Sequence, residues 1–128
     1  MISLRLPFPP SVNSYWRHPT KGRLAGRHLI SEEGRKYRVK VVEAVFSQKV
    51  KSVRSDSICV RIVAHPPDRR RRDLDNMLKA LLDSLTHAKI WEDDYCIDAL
   101  EIRRGSPVKG GLLIVDIHEV ANDNASTP

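Results

Sequence analysis

The sequence predicts an α/β (α+β) fold: a single domain with a mixed β-sheet and two main helices, in the order β-α-β-α-β-β. Three observations lead there. Residues 58–64 place Ile58, Val60, Ile62 and Ala64 on one strand face and Cys59 and Val63 on the other, a two-sided apolar pattern that suits a central strand. Leu74, Met77, Leu78, Leu81, Leu82 and Leu85 recur at helical spacing as one stripe. The 128 residues are 41% hydrophobic, which matches one core, since single domains usually run to roughly 100–200 residues. Residues 1–119 are therefore expected to form the domain, and 120–128, small and polar, a flexible tail.

Taken in order, Ile2, Leu4 and Leu6 alternate with Ser3 and Arg5, a strand stopped by Pro7, Pro9 and Pro10. A loop rich in Gly, Pro and cations follows to about Leu29. Ser31 is placed to cap a helix whose first turn carries Glu32 and Glu33, suited to the positive end of the helix dipole. Tyr37, Val41, Ala44, Val45 and Gln48 extend it to about Val50, although Gly34 weakens its start. After strand 58–64, Pro66-Pro67 opens a loop through Asp68 and four arginines. The helix from Asp73, placed at the cap, ends near His87 or Lys89, with Leu74, Leu78, Leu81 and Leu85 facing the core. Residues 97–103 read as a strand, and 105–111 as the turn of a hairpin onto 112–118.

Composition excludes several function classes. No apolar run approaches the roughly 18 residues of a membrane span, and the first ten residues lack a signal-peptide core; a cytoplasmic protein is expected. Cys59 and Cys96 give neither a zinc spacing nor a disulfide framework, and Cys59 is expected as a buried small hydrophobe. His18, His28, His65, His87 and His118 are scattered, with no Ser/His/Asp spacing and no phosphate-cradling glycine motif. The formal charge of +6 is uneven: residues 17–40 hold eight Lys and Arg against Glu32 and Glu33, and the rest of the chain is neutral. A basic limb on a soluble domain favours a polyanionic partner, with nucleic acid first.

Within the neutral remainder, Arg69, Arg70, Arg71 and Arg72 directly precede Asp73-Leu74-Asp75-Asn76. Lys79 follows one turn on, and Asp93-Asp94 come about 20 residues later in a turn. If both turns lie at one end of the sheet, four carboxylates converge. Like charges 5 Å apart repel by roughly 3 kcal/mol per pair at an effective dielectric near 20, so such a cluster needs a cation, and hard oxygens suit Mg²⁺ or Mn²⁺. The alternatives are ordinary: Asp73 as a helix cap, Asp75–Lys79 as an i,i+4 pair, Asp93-Asp94 as turn formers. Four consecutive arginines gain nothing from stability alone, whereas a phosphodiester held against a carboxylate-bound metal needs that juxtaposition. Lys79 then either neutralises the transition-state phosphorane or orients the attacking water. Tyr15-Trp16 is open to stacking on unpaired bases or packing under its loop, and Trp91 is read as a core anchor placing the Asp93-Asp94 turn.

The segment His65-Pro66-Pro67-Asp68-Arg69-Arg70-Arg71-Arg72-Asp73-Leu74-Asp75-Asn76, with Lys79, Trp91-x-Asp93-Asp94, the opening Pro9-Pro10-Ser11-Val12-Asn13-Ser14-Tyr15-Trp16-Arg17-His18 and the late Lys109-Gly110-Gly111, resembles the RusA family of Holliday junction resolvases over about residues 4–119. The resemblance implies a homodimeric, Mg²⁺-dependent endonuclease of bacterial or prophage origin that nicks four-way DNA junctions symmetrically in recombination and repair. By position it makes Asp73, Asp75 and Asp94 the essential carboxylates, Asp93 an auxiliary metal ligand and Lys79 the catalytic lysine. Arg69, Arg70, Arg71 and Arg72 match its basic loop and, with Arg17, His18 and Asn76, are the expected DNA contacts. The dimer has its own rationale, since a two-fold junction needs two nicks and one chain offers one carboxylate set. Two other readings stay open: a non-catalytic DNA-binding module with structural carboxylates, and a broader branched or flap DNA nuclease.

Overall fold

The computed structural model describes residues 1–27 and 29–120; His28 and, from Ala121, the expected flexible tail lie outside the described residues. Strand β1 is Ile2–Leu6, helix α1 Val12–Tyr15, strands β2 and β3 Trp16–Arg17 and Leu29–Ile30, and helix α2 Glu32–Ser47. Strand β4 is Ile58–His65 and helix α3 Asp75–His87; a 3₁₀ turn, Asp94–Cys96, leads into β5, Ile97–Arg104, and β6 is Leu112–Glu119. The main sheet has the order β1-β6-β4-β5, with β6 antiparallel to β1 and β4 and β5 parallel to β4. It is the mixed sheet and α+β class that the sequence predicts.

The alternation of β4 shows in its burial. Ile58, Val60, Ile62 and Ala64 are buried, as are Leu4, Leu6, Leu113, Val115 and Ile117 of the neighbouring strands, together with Val41 of α2 and Leu81 and Leu85 of α3. Both helices thus cover one sheet face. Cys59 lies on the opposite face and is half-buried, not the buried core residue expected of it. Strand β5 is an edge strand with no fully buried residue.

The hairpin expected at 105–111 does not form, because β5 and β6 lie on opposite sides of β4. The physical reason is the apolar character of β4, which favours two strand partners. The connection instead steps over the end of β4: Gly105 N–H donates to Ala64 O at 2.8 Å, and Val108 N–H to Pro66 O at 2.9 Å. Two strands separated by a third lie about 9–10 Å apart, beyond a tight turn but within reach of this linker.

The loop from Ser11 to Leu29 contains α1 and a short ribbon pairing Trp16 with Ile30 and Arg17 with Leu29. Ser31 caps α2 as expected, its hydroxyl accepting from Gly34 N–H at 3.0 Å. Gly34 has a packing reason that the helical pattern hides. A Cβ there would stand 2.5 Å from Tyr15 O and 2.7 Å from Ile30 Cγ1, so its absence lets α2 press against the segment leaving α1. On α3 the buried face is Met77, Ala80, Leu81, Ser84 and Leu85, while Leu74 and Leu78 are only half-buried. Small Ala80 and Ser84 turn the core face away from the leucine-only stripe.

Replacing an exposed helical Gly by Ala ordinarily stabilises by about 1 kcal/mol. Gly34→Ala is expected to do the opposite and lose about 1–3 kcal/mol through overpacking against a backbone oxygen. Urea unfolding of the variant checks the sign.

Candidate active site

The basic loop is built by Asp68. Its Oδ1 accepts from Arg70 N–H at 2.9 Å and from Arg72 Nη1 at 2.7 Å. The Arg72 hydrogen bond and then the Arg70 amide hold the carboxyl down to about 2. Arg72 is further fixed with its guanidinium 5.7 Å from the Phe8 ring centroid, and its carbonyl accepts from Arg104 Nη2 at 2.5 Å. Of the four arginines expected at DNA, Arg72 is therefore engaged within the fold. Arg69, Arg70 and Arg71 are exposed, Arg70 keeping a loose 3.8 Å approach to Asp68.

Helix α3 starts at Asp75, with Leu74 in the cap position and no side-chain cap hydrogen bond. Asp73 is thus not the cap expected of it; it contributes only its backbone carbonyl, which accepts from Asn76 N–H at 3.2 Å. Asp73, Asp75 and Lys79 are exposed, and no i,i+4 ion pair joins Asp75 to Lys79. Asp73 just before α3, and Asp75 and Lys79 on one flank of it, therefore stand without an ion pair among the described residues.

The Asp93-Asp94 turn brings Asp94 to the Lys79 flank of α3. The Asp93 side chain accepts from Tyr95 N–H at 3.1 Å and starts the 3₁₀ turn. Trp91 anchors it, 2% exposed, with Nε1 donating to Thr86 Oγ1 at 2.6 Å. Asp94 lines a cleft of about 210 Å³ with Lys79, Leu82, Asp83 and Thr86. Its carboxyl is raised above the ordinary carboxylate range by partial burial, then by a hydrogen bond with Asp93 and by the Asp93 charge; Lys79 pulls it back and Asp83 adds to the rise. Lys79 is thus the group that the structure brings to Asp94.

The four carboxylates expected to converge do not form a ready-made ion-binding group. Among the described residues, no three His, Cys, Asp or Glu side chains are grouped to hold an ion. Asp94 instead meets α3 at Lys79, one turn after Asp75. The donor chemistry of Asp73, Asp75, Asp93 and Asp94 suits a hard divalent cation, oxygen throughout, and the adjacent pair Asp93–Asp94 most needs one.

Asp83 was not among the site residues that the sequence suggests. Its Oδ2 accepts from Tyr15 OH, from Arg38 Nη2 at 2.7 Å and from Arg38 Nε at 3.1 Å; Arg38 Nε also approaches Tyr15 OH at 3.0 Å. Tyr15 is fully buried and stands edge-on to Trp16 at 5.0 Å, so for Tyr15 packing replaces base stacking. The signal was present: Asp83 follows Asp75 and Lys79 at steps of four. Arg38, counted in the basic limb, is spent on this network. Arg17 and His18 are exposed on the outer end of β2 and beyond, and Asn76 is half-buried beside Asp75.

No helix among the described residues is long and apolar enough to cross a membrane. The family model of endodeoxyribonuclease RusA matches residues 7–117. The chain is 43% identical over 115 residues to the crossover junction endodeoxyribonuclease of Enterobacteria phage HK97, covering 90% of this chain and 92% of that protein. It is 40% identical to the crossover junction endodeoxyribonuclease of Shigella sonnei strain Ss046 and 39% to that of Escherichia coli strain K12, each over 121 residues, 94% of this chain and 97% of the relative. The motifs around Asp73 and Asp94, the α+β architecture and these matches agree: the chain belongs to the RusA family of endodeoxyribonucleases.

Proposed function

We propose that this protein is an endonuclease that resolves four-way DNA junctions by paired symmetrical nicks, with Mg²⁺ as cofactor and Mn²⁺ as a substitute. One observation carries the reading: Asp73 and Asp75 stand at an uncapped helix start, unpaired among the described residues, beside exposed Arg69, Arg70 and Arg71. Arginines that do not neutralise the adjacent carboxylates are left for phosphates, and the carboxylates for a cation. That neither Asp73 nor Asp75 caps α3 by its side chain counts against a purely structural role for them.

Asp73, Asp75 and Asp94 would hold the metal, with Asp93 auxiliary. When bound, it supplies Lewis-acid polarisation of the phosphate and a more acidic water. Arg69, Arg70 and Arg71 grip the backbone on either side, with Arg17 and His18 extending the contact and Asn76 reaching the strand at the helix start. Lys79, facing the Asp94 cleft, neutralises charge that develops on the phosphate or orients the attacking water. One chain carries one such set, and a junction requires two nicks, so the active form is a homodimer whose dyad matches that of the DNA. The relatives come from phages and enteric bacteria, in keeping with a cytoplasmic, prophage-borne enzyme.

Three results follow. A synthetic four-way junction with Mg²⁺ gives paired nicks, and Asp75→Asn retains binding but loses at least about 100-fold in cleavage rate, the scale of removing one transition-state stabiliser. Equal cleavage by Asp75→Asn would sink the assignment. Junction affinity falls with salt at a slope near −4.5 in log–log form if about five phosphates are neutralised, measured by titration at several salt concentrations. Light scattering gives twice the 14.6 kDa chain mass for free protein, and two chains plus one junction for the complex.

A further inference from the structure

Beside the start of α3 lies a second cleft, about 800 Å³, within the roughly 300–1,000 Å³ typical of small-ligand sites. Resting on the nuclease reading above, we infer that this cleft takes one nucleobase of the junction strand, turned out of its stack next to the phosphate to be cut.

The lining decides for a base over a phosphate. Phe8, Pro9, Pro10, Pro67 and Met77 make the apolar half of the wall, with Ser11, Arg71, Arg72, Asp73 and Asn76 on the polar half; a sugar-phosphate backbone does not need the apolar side and a base face does. The Arg72 guanidinium lies against the Phe8 ring at 5.7 Å, locked there by Asp68 at 2.7 Å. Held in this way, Arg72 offers a planar cationic surface of the kind on which extruded bases stack.

The polar rim suits the rest of a nucleotide. Asn76 lines the cleft, and no hydrogen bond occupies its amide among the described residues; a side-chain amide has the donor and acceptor pair that a base edge presents. Arg71, also on the rim and exposed, is placed for the flanking phosphate. Asp73 lines the same cleft, so a base held there keeps its backbone within reach of the carboxylates. Extrusion costs least where pairing is already broken, as at the crossover of a four-way junction.

The Lys109-Gly110-Gly111 turn finds its reason here. Gly111 has φ +78°, and a Cβ on it would stand 2.6 Å from Phe8 Cβ and 3.3 Å from Pro67 Cδ. Both side chains belong to the wall, so the bare turn backs the pocket and sets its depth.

The test uses junctions carrying 2-aminopurine at successive positions around the branch point, bound to full-length Asp75→Asn protein. Fluorescence should change sharply at one position and lose that change when Phe8→Ala or Phe8→Leu is added; the leucine variant keeps apolar packing against Gly111, so the ring is separated from the fold. In the otherwise wild-type protein, Phe8→Leu should slow cleavage about 5- to 100-fold, the scale of losing one base–aromatic stack. Asn76→Ala should level the rates across junctions that differ only in the base at that position. A wild-type enzyme that cuts, but whose rate and base preference survive Phe8→Leu and Asn76→Ala unchanged, overturns the pocket and leaves the nuclease reading standing. A wild-type protein that cuts no junction overturns the nuclease reading, and the pocket with it.

Discussion

The carboxylate of Asp83 is the fixed point around which the rest is arranged. It receives the phenol of Tyr15 and two nitrogens of Arg38 on one oxygen, joining α1, α2 and α3 across separations of 45 and 68 residues. Arg38 and Asp83 side chains are 23% and 30% exposed, so their attraction is neither fully screened nor burdened by complete desolvation. Hydrogen bonds to charged groups in such places contribute about 1.5–3 kcal/mol. Tyr15 needs them more than they need it, because among the described residues its hydroxyl has Asp83, Arg38 and Ser84, the last at 3.3 Å, to satisfy it in the core. Gly34 completes the arrangement by letting α2 close onto the Tyr15 carbonyl.

That network settles how α3 divides its polar residues. Asp75, Lys79 and Asp83 share one flank at steps of four, and only Asp83 is turned to structural use. Lys79, one turn before it, faces Asp94 across the small cleft; Asp75, a turn further, meets solvent. A helix pinned at its third turn and anchored at its end by Leu85 and Trp91 thus presents its first turn as a fixed platform. Catalytic side chains on rigid elements hold their geometry better than those on loops.

Local chemistry was legible in the sequence; relations between distant elements were not. The Ser31 cap, the period of α3 and the alternation of β1, β4 and β6 follow from neighbouring residues, and the structure carries them. Trp91 as an anchor was also readable, since a large apolar ring next to three acids has few other uses. What failed depended on strand order. The inserted strand between β5 and β6 is invisible to a reading that pairs sequence neighbours. Asp83 sits in a pattern that looks like a solvated flank until Arg38 is brought to it. Gly34 and Gly111 read as weak spots or turn residues, because what excludes their Cβ atoms comes from elsewhere in the chain.

The four arginines show how one run of like charge is divided by a single acid. Asp68 takes Arg72 inward, against Phe8 and beneath Arg104, and its Oδ1 also orders the turn through Arg70 N–H. Adjacent guanidinium groups repel, so with Arg72 held on the inside the remaining three relieve their repulsion by spreading outward. The loop then delivers three solvated cations immediately before an uncapped helix start, where a Ser, Thr or Asp side chain in the cap position would have added about 1 kcal/mol. Asp73 is one residue from that position and does not take it. Stability is given up where the charges stay available, and that is the arrangement expected of a surface kept for a phosphate backbone and a cation instead of for the fold.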